Sequence, residues 1–434
     1  MNNKKQTFTK NIRQNVLLCG MFWRFLYYII QLLLQFFMQI AAFFSPKAKL
    51  WVSGRKKLPP YIADAPSVWI HCASVGEFEQ ARPLIEQLKK EHPAYRIVLT
   101  FFSPSGYTLR KNYPLADLVS YLPLDTPANA EQWLSYIRPA LAIFVKYEIW
   151  FNFSEALAKN SIPFLLISAK FLPNQIYFKP HGKLLRQALR QFSYVVVQDQ
   201  ISVELMQQIG VAEEKIVQGK DTRFDTVWKN KQQSCDYTFV EKFKNNELLL
   251  VAGSTWQEDE DMLYKLLKTF PHFKCLLVPH EIYPETIKKL QLKMAEFNSI
   301  RYSEITTETP LQSARVLVLD AVGMLSKIYR YGEIAYVGGG FGKGIHNILE
   351  AAVYELPVVF GPKFARFKEA VDMIGLEAAF SCSDFSDLEN IMAKLLQADK
   401  RNEAGHKAKQ YIVQNLGGTQ QVMELVEPLL KMEK

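Results

Sequence analysis

Short apolar runs alternate with helical patterns along most of this chain, and that alternation limits its possible folds more than any other feature. Each run has the length and apolarity of a buried strand. The predicted strands cover residues 68–72, 96–102, 118–122, 141–145, 164–168 and 194–197, and then 248–252, 275–278, 316–319, 334–337 and 358–360. Strands separated by helices form parallel sheets, in which ligands bind beyond the carboxyl ends of the strands.

A polar and irregular stretch, residues 219–247, interrupts the alternation near the middle of the chain. The 434 residues are enough for two globular domains and an appendage. We therefore predict an α/β protein with two doubly wound, Rossmann-type domains that face a cleft. The predicted parts are an N-terminal segment with basic flanks at 1–57, a first domain at 58–225, a linker at 226–246, and a second domain with closing helices at 247–434.

Residues 25–44 form an uncharged apolar segment that is just long enough to cross a bilayer. Gln31, Gln35 and Gln39 recur every four residues and would make a polar stripe along a helix. Such a stripe favours a helix that lies in the membrane interface or packs its polar side on protein. Basic residues flank both ends of the segment, at Lys4, Lys5, Lys10, Arg13, Arg24, Lys47, Lys49, Arg55, Lys56 and Lys57. We expect a membrane anchor and leave open whether it spans the bilayer or lies flat.

The charge balance also indicates the kind of partner. The chain has a formal net charge of +9 and a sequence pI of about 9.0, so an anionic partner is expected. No recognisable nucleic-acid-binding module accompanies the charge, which favours an anionic membrane or an acidic substrate. Basic residues accumulate between Lys170 and Arg190, where they would form either a cradle for a phosphorylated acceptor or a solvated helix face. The scattered cysteines suggest no disulfides and fit a reducing compartment.

The segment from Glu333 to Pro362 joins two predicted strands through residues 338–344, a Gly-Gly-Gly-Phe-Gly-Lys-Gly run. Glycines let backbone N–H groups approach a ligand closely, and the start of the helix predicted near His346 favours an anion. Asn347 and Glu350 would share one face of its first turn and could grip ribose hydroxyls. The segment outlines a nucleotide-sugar site; the alternative is an ordinary strand-to-helix turn whose dipole Glu350 stabilises. Its spacing matches neither the dinucleotide fingerprint nor the P-loop.

Two carboxylates follow predicted strands of the first half. Glu77 comes soon after the first strand, and with Pro83 in the first turn of the next helix it would lie just before or at the helix start. There it could act as a general base on an acceptor hydroxyl, or simply stabilise the helix dipole. Glu148 follows the fourth strand and could orient a substrate, or form an ordinary ion pair with Lys146.

Polar residues also follow the first two strands of the second half. Ser254 and Thr255 come at the end of the first of these strands, where their hydroxyl and N–H groups would suit a phosphate or a helix N-cap. Pro279 and His280 end the next strand, at the same rim. No H-E-x-x-H motif occurs, and no metal site is expected.

Taken together, several motifs resemble those of the Kdo (3-deoxy-D-manno-octulosonic acid) transferases, enzymes of lipopolysaccharide biosynthesis with the GT-B glycosyltransferase fold. The motifs are Ser74-Val75-Gly76-Glu77, Glu148-Ile149-Trp150-Phe151-Asn152, Arg223-Phe224-Asp225, Ser254-Thr255, Leu277-Val278-Pro279, and the glycine-rich segment up to Glu350 with the later Gly361-Pro362. They occur in the family's order, and the resemblance covers almost the whole chain.

The resemblance implies transfer of Kdo from CMP-Kdo, a co-substrate, to a lipid A precursor similar to lipid IVA. It implies inversion at the anomeric carbon, a first domain that takes the acceptor, a second domain that takes the CMP-sugar, and no metal or other cofactor. It places the reaction at the cytoplasmic face of the inner membrane, with its lipids as partners and no nucleic acid. Glu77 would be the general base, with Glu148 as the second catalytic carboxylate.

The resemblance also implies which residues contact the two substrates. Those implied for the acceptor are Ser74, Gly76, Lys146, Lys170 and Arg223. Those implied for CMP-Kdo are Ser254, Thr255, Pro279, His280, Gly339, Gly340, Lys343, Gly344, Asn347 and Glu350.

The chain departs from the usual family pattern at several of these positions. Lys146 stands where a glutamate is usual, Phe151 replaces a proline, and Arg223 replaces a lysine. His280 stands where an arginine commonly follows Leu-Val-Pro. Two other functions stay open on the sequence: a GT-B transferase that uses a UDP-sugar on another membrane lipid, and a membrane-attached nucleotide-sugar sensor without activity. A nucleotide-sugar epimerase would share the fold, but the apolar N-terminal segment argues against it.

Overall fold

The computed structural model describes residues 2–56, 58, 60, 61 and 64–431, with side chains from Phe22 onward. The chain forms two compact units, Met1–Thr222 together with Gly417–Lys434, and Arg223–Leu416. Five basic residues of the predicted anchor flanks lie outside this detailed description, namely Lys4, Lys5, Lys10, Arg13 and Lys57.

The first unit contains a seven-stranded sheet in the order β3-β2-β1-β4-β5-β6-β7. Its strands, all parallel, are β1 (Ser67–Cys72), β2 (Arg96–Phe101), β3 (Leu118–Tyr121), β4 (Pro139–Val145), β5 (Phe164–Ala169), β6 (Tyr194–Val197) and β7 (Ile216–Gln218). Its helices up to this point are α1 (Asn2–Ala41), α2 (Pro46–Ser53), α3 (Val75–Glu91), α4 (Pro104–Arg110), α5 (Pro127–Ile137), α6 (Phe151–Lys159), α7 (Lys183–Gln191) and α8 (Gln200–Gln208).

Helices cover both faces of this sheet, so its central strands are apolar throughout. Every residue of β1 and β4 is buried, as expected for strands inside a parallel sheet. On one face Trp69 packs with Trp133 and Phe144, and on the other Ile70 belongs to the cluster that contains Phe101. This packing fixes the carboxyl ends of β1 and β4, from which the candidate catalytic residues emerge.

Helix α1 lays its polar side on the first unit and leaves an apolar side exposed. Gln31 is buried, Arg24 pairs with Glu155 at 2.9 Å, and the Tyr27 hydroxyl donates to Asp125 at 2.6 Å. The exposed apolar side chains include Phe22, Phe25, Leu33, Phe36, Phe37 and Ile40. Residues Phe22–Ala41 are long and apolar enough to cross a membrane, by length and composition.

The second unit contains another parallel seven-stranded sheet, in the order β10-β11-β9-β8-β12-β13-β14. Its strands are β8 (Leu249–Thr255), β9 (Lys274–Pro279), β10 (Ile300–Arg301), β11 (Val316–Val318), β12 (Ile334–Val337), β13 (Val358–Phe360) and β14 (Ala379–Ser381). Its helices are α9 (Arg223–Gln232), α10 (Thr238–Lys244), α11 (Gln257–Thr269), α12 (Pro284–Lys293), α13 (Leu325–Ile328), α14 (Leu349–Ala352), α15 (Lys368–Gly375), α16 (Phe385–Leu395) and α17 (Ala398–Gln414). The predicted α/β fold with two doubly wound sheets is confirmed.

The division of the chain differs from the predicted bounds in two places. The stretch predicted as a linker, 226–246, is largely the helices α9 and α10, because its few apolar residues, such as Val240 and Phe243, are spaced to enter the core. The last helix, α18 (Gly418–Lys431), belongs to the first unit and not to the predicted second domain. Its Val422, Met423 and Val426 are buried in the same cluster as Ile70.

Two predicted helix starts were wrong. Helix α3 begins at Val75, and Pro83 lies inside it and not in its first turn, because buried neighbours such as Phe78 and Leu84 hold the helix on the sheet. Helix α14 begins at Leu349 and not near His346. The His346 N–H donates back to the Gly338 carbonyl oxygen at 3.2 Å, so this residue closes the glycine-rich loop instead of opening a helix.

Candidate active site

Glu77 lies in the first turn of α3, three residues after Ser74, which occupies the N-cap position. Its carboxylate accepts a hydrogen bond from the Ala73 N–H. Glutamate at this position commonly caps the start of a helix. Glu77 therefore also stabilises the start of α3, which was the second interpretation of its place in the sequence. Gly76 is exposed, and a Cβ there would meet nothing closer than the Ser74 hydroxyl at 3.9 Å, so the space beside Glu77 is open.

Burial changes the acidity of Glu77. Loss of solvation, the larger cause, and the neighbouring Glu148 carboxylate together raise the pKa of its carboxyl from 4.5 to about 7. The hydrogen bond from Ala73 and the charge of Lys146 lower the pKa, but less strongly. A carboxylate with a pKa near 7 is a stronger base than an ordinary glutamate and is still ionised in part at neutral pH.

Glu148 is held by two ring N–H groups at the carboxyl end of β4. Its Oε2 lies 3.0 Å from His71 Nε2 and accepts from Trp150 Nε1 at 3.0 Å. His71 is fully buried, and its Nδ1 lies 2.9 Å from the Thr100 hydroxyl. This series of hydrogen bonds runs through the core of the sheet and fixes the Glu148 carboxylate. Sequence reasoning missed His71, although an imidazole within an apolar strand was the available signal.

The residues predicted to contact the acceptor lie in different surroundings. Lys146 follows β4 in a left-handed conformation, with φ of 60°, and acts electrostatically on Glu77. Lys170 follows β5, and its Nζ lies 3.9 Å from Asp199, the N-cap of α8. Arg223 lies in the second unit, where it pairs with Glu369 at 3.0 Å. Of the predicted acceptor residues, Ser74, Gly76 and Lys146 lie beside Glu77.

The basic stretch between Lys170 and Arg190 is partly structural. Arg186 donates to the carbonyl oxygens of Tyr177 and Lys179 at 2.9 and 2.6 Å. Arg190 donates to the carbonyl oxygen of Ile209 at 2.7 Å. These two arginines keep their charge but hold loops in place, so fewer of their N–H groups are left to contact an acceptor.

In the second unit, the candidate donor residues gather at the carboxyl ends of β8, β9 and β12. Ser254, with φ of 54°, and the buried Thr255 end β8, while Pro279 ends β9 and His280 follows it. The glycine-rich loop follows β12, which is hydrogen-bonded to β8. The sheet thus brings the predicted donor residues to one edge of this unit.

Asp259 fastens the glycine-rich loop to the start of α11. Its buried carboxylate accepts from the N–H groups of Trp256 and Gly339, each at 2.9 Å, and from the Tyr336 hydroxyl at 2.8 Å. A Cβ on Gly338 would lie 2.3 Å from the Ser254 carbonyl oxygen, so only glycine allows this approach. The N–H groups of Gly339 and Gly344 are already used within the protein, which leaves fewer loop donors for a phosphate than predicted. Sequence reasoning missed Asp259.

Cationic side chains surround the same loop. Lys363 donates to the carbonyl oxygens of Phe341 and Gly342, each at 2.9 Å, and Arg366 donates to that of Lys343 at 2.7 Å. Lys343, Lys363 and Arg366 are exposed. Three cations next to a glycine turn make an environment that favours phosphate. Lys363 and Arg366 were not among the predicted site residues.

A stack of three aromatic rings borders the loop. The ring centroids of Trp256 and His280 are 4.7 Å apart, those of His280 and His346 are 4.4 Å apart, and Trp256 Nε1 donates to His346 Nε2 at 3.1 Å. Burial lowers the pKa of His280 and lowers that of His346 to about 4, so both rings are uncharged at neutral pH. His280 therefore supplies a flat neutral surface where the family usually has a cation.

Asn347 and Glu350 lie together as predicted. The Asn347 side chain donates to Glu350 Oε1 at 3.2 Å, and its Oδ1 accepts from the Leu349 N–H at 3.2 Å. The amide thus links the loop to the start of the short helix α14 and holds the carboxylate of its first turn. Among the described residues, the one metal-type group found is Glu91, His92 and Glu427, which contains none of the candidate residues.

Comparisons with known proteins agree with the motifs. Residues 47–226 match the family model described as 3-deoxy-D-manno-octulosonic-acid transferase (kdotransferase). The 3-deoxy-D-manno-octulosonic acid transferase of Haemophilus influenzae is 28% identical, with 94% of this chain and 99% of the relative covered. That of Chlamydia muridarum is 27% identical, with coverages of 83% and 85%. The crystal structure of a glycosyltransferase from Rickettsia africae superimposes with a TM-score of 0.55 at 12% identity and covers 85% of this chain and 99% of that one, a likeness of fold alone.

Proposed function

Because the chain belongs to the family of 3-deoxy-D-manno-octulosonic acid (Kdo) transferases, we propose that it transfers Kdo from CMP-Kdo to a lipid A precursor similar to lipid IVA. The reaction is a step of lipopolysaccharide assembly and inverts the anomeric carbon. The observation that carries the proposal is the pair of carboxylates at the carboxyl ends of β1 and β4, in which Glu77 has a pKa raised to about 7.

In the proposed step, Glu77 removes the proton of the acceptor hydroxyl. The acceptor oxygen attacks the anomeric carbon of Kdo, the bond from that carbon to the CMP phosphate oxygen breaks, and CMP leaves with the electron pair. A single displacement of this kind inverts the configuration. Glu148 acts through its charge, which keeps Glu77 basic, and Lys146 stands close enough to influence the same carboxylate. Ser74 and Gly76 border the open space beside Glu77 and would contact the acceptor.

The second unit is the proposed donor site. Asn347 and Glu350 would hold the ribose hydroxyls, and Lys343 with the remaining donors of the glycine-rich loop, Ser254 and Thr255 would hold the phosphate. Lys363 and Arg366 add positive charge at that loop, which suits an anionic donor. The exposed Trp256 and His280 rings offer a flat surface of the type on which a nucleobase stacks.

We propose that the reaction needs no metal. CMP is a good leaving group, and fixed cations and backbone donors can stabilise the charge that develops on its phosphate. The lysines and arginine of the loop would supply this stabilisation. Activity that is unchanged after extensive chelation with EDTA would support this, whereas loss of activity that Mg²⁺ restores would contradict it.

We also propose that the protein works at the cytoplasmic face of the inner membrane. The lipid acceptor stays in the membrane, and the exposed apolar side of α1 would bury itself beside the headgroups while its polar side stays on the first unit. This arrangement favours a helix that lies in the interface over one that spans the bilayer, because Gln31, Tyr27 and Arg24 are already engaged with protein.

The decisive experiment is mass spectrometry of a tetraacyl lipid A precursor after incubation with the purified protein and freshly made CMP-Kdo. A mass gain of one or more Kdo units is expected, and parallel reactions with a panel of UDP-sugars should give none. The Glu77→Gln variant provides the inactive control. A product formed only with a UDP-sugar would overturn the donor assignment, and no product with any donor from folded protein would overturn the proposed reaction.

A further inference from the structure

A cavity of about 800 Å³ lies in the first unit between α1, α2 and the segment that follows β3. Its volume is within the range of sites that bind small molecules or lipid headgroups. Gln35 and Gln39 of α1 line one side, and Trp51 of α2 lines another. None of the residues proposed above for the donor, the acceptor or the catalytic step lines this cavity.

Arg55 is a mostly buried cation in the wall of the cavity. Its guanidinium donates to the carbonyl oxygens of Leu122, Trp51 and Phe102 at 2.9, 3.1 and 2.8 Å. In the described part of the chain no carboxylate pairs with it, and burial lowers its pKa to about 9. A guanidinium has five N–H bonds, so these three contacts leave two of them for another acceptor.

The surroundings of Arg55 hold it in place without neutralising it. The guanidinium carbon lies 4.0 Å from the centroid of the Trp51 ring and 4.9 Å from those of Phe102 and Tyr121. A Cβ on Gly54 would lie 2.1 Å from Tyr121, so glycine is needed for the end of α2 to reach this ring. Aromatic faces attract a cation, yet a buried charge without a counter-ion is unfavourable. An anion in the cavity would relieve that cost.

A second group lining the same cavity lacks a partner. Trp133 is fully buried, and its indole N–H has no hydrogen-bond partner. Buried N–H groups are normally satisfied, so this donor also indicates a missing acceptor. Lys56, at the exposed rim of the cavity, adds a further positive charge. These groups suit a ligand that is anionic and accepts hydrogen bonds.

The position of the cavity further limits the class of ligand that it can bind. Tyr28, Leu32, Gln35 and Gln39 reach it from α1, the helix whose other side exposes Phe36 and Phe37. We propose that the cavity binds the phosphate of a membrane lipid. Arg55 and Lys56 face the phosphate, the indole N–H of Trp133 is a further donor, and Leu32 and Trp51 contact the first carbons of the acyl chains. Two sources share this chemistry, an anionic bilayer phospholipid and a phosphorylated lipid acceptor.

The test measures binding of dihexanoylphosphatidylglycerol, below its micelle concentration, to the full-length protein by calorimetry without CMP-Kdo. Dihexanoylglycerol, which has the same chains and no phosphate, and inorganic phosphate, which has no chains, are the comparison ligands. We expect saturable binding of the phospholipid, with both comparison ligands weaker by roughly tenfold or more, because hydrogen bonds to charged groups and chain contacts both contribute. Equal binding of all three would overturn the proposal.

Variants locate the binding. Arg55→Gln should weaken phospholipid binding by roughly tenfold or more. Gln35→Phe fills the cavity but leaves Arg55 unchanged, and it should also abolish phospholipid binding. It provides a second test of the site if Arg55→Gln does not fold. Lys49→Gln, on the exposed side of α2, removes the same charge outside the cavity and should leave binding unchanged. Native-like binding by both cavity variants, each shown to be folded, would overturn the site.

A competition distinguishes the two sources. If the tetraacyl lipid A precursor displaces the phospholipid, and Arg55→Gln raises the KM for that precursor, the cavity serves the acceptor. If the phospholipid binds equally well with and without the precursor, the cavity serves a bilayer lipid. Both results support a lipid phosphate site. Because the binding assay needs no turnover, it can succeed even if the proposed transfer reaction fails.

Discussion

Glu77 depends on its immediate neighbours for its chemical character. The Ala73 N–H holds its carboxylate, while burial and Glu148 keep its pKa near 7. Glu148 is in turn fixed by His71 and Trp150. The motif around Glu77 was evident in the sequence, but the contribution of His71 was not. The strand that carries His71 reads simply as apolar, and only the folded sheet brings β1 and β4 side by side.

Replacement of Glu77 tests its role as a base. We expect Glu77→Gln to lower kcat by roughly 10²- to 10⁴-fold, the usual contribution of a general base, with CMP binding unchanged. Steady-state kinetics and calorimetry with CMP measure the two effects. Glu86→Gln, on the same helix, is the matched control and should retain native turnover. A Glu77→Gln enzyme with near-native kcat would refute the assignment.

The pH dependence of transfer should report the same carboxylate. Only ionised Glu77 can accept a proton, so kcat/KM should fall as the pH drops through about 7, the pKa of this group. Glu148→Gln removes the neighbouring negative charge, lowers the pKa of Glu77, and should move this acid limb to lower pH. Rate profiles between about pH 5 and 9 measure the shift. Glu155→Gln should leave the midpoint pH of this acid limb unchanged. If the midpoint pH in Glu148→Gln is unchanged or higher, the electrostatic effect of Glu148 on Glu77 is contradicted.

At the scale of elements, the strands were the most predictable part of the chain. Long apolar runs such as β4 and β12 were identified, because strands buried on both faces contain few polar residues. The three missed strands, β7, β10 and β14, are two or three residues long and lie at sheet edges, where they are only partly buried. The equally short β11 and β13 are fully buried and were identified from their apolar residues. The glycine-rich loop was identified, but its fastening by Asp259 depends on a contact across 80 residues that no local pattern reveals.

The contacts of Asp259 can be tested as a unit. Asp259→Ala leaves three donors without an acceptor, namely the N–H groups of Trp256 and Gly339 and the Tyr336 hydroxyl. We therefore expect the free energy of unfolding to fall by about 3 kcal/mol. The loosened loop should also raise the KM for CMP-Kdo more than it lowers kcat. Denaturant unfolding and kinetics measure the two effects. Asp261→Ala alters an exposed residue of the same helix and should change neither the free energy of unfolding nor the KM. Equal effects of the two variants on these quantities would refute the proposal that Asp259 holds the glycine-rich loop in place.

At the scale of the whole molecule, the N-terminal helix α1 packs its polar side on the first unit and exposes an apolar side. Its polar stripe was predicted from the spacing of three glutamines, and Gln31 is buried against protein as that pattern allowed. The sequence could not decide between interface and span. Contacts such as that of Tyr27 with the buried Asp125, 98 residues away, are tertiary and have no local signature.

The apolar side of α1 should govern association with membranes. Phe36 and Phe37 are 55% and 60% exposed, so Phe36→Ser with Phe37→Ser should leave the folded protein intact. Each phenyl group buried in a bilayer contributes about 2 kcal/mol, so partitioning into anionic vesicles should fall by roughly 10²-fold or more. Vesicle sedimentation measures this. Leu109→Ser, a similarly exposed position on α4, is the control, and unchanged partitioning of the double variant would exclude α1 as the anchor.

The return of α18 to the first unit has a consequence for how the protein is made. The unit that begins at the N-terminus lacks Val422, Met423, Val426 and Leu430 until the final turns of the chain have been synthesised. The second unit, Arg223–Leu416, is continuous in sequence, so all of its core residues have been synthesised before α18. The first unit is thus expected to complete its core only after α18 has been made. A message truncated just before Gly417 would yield a first unit with an incomplete core around Ile70, exposed to chaperones and proteases, and a second unit that keeps all of its core residues.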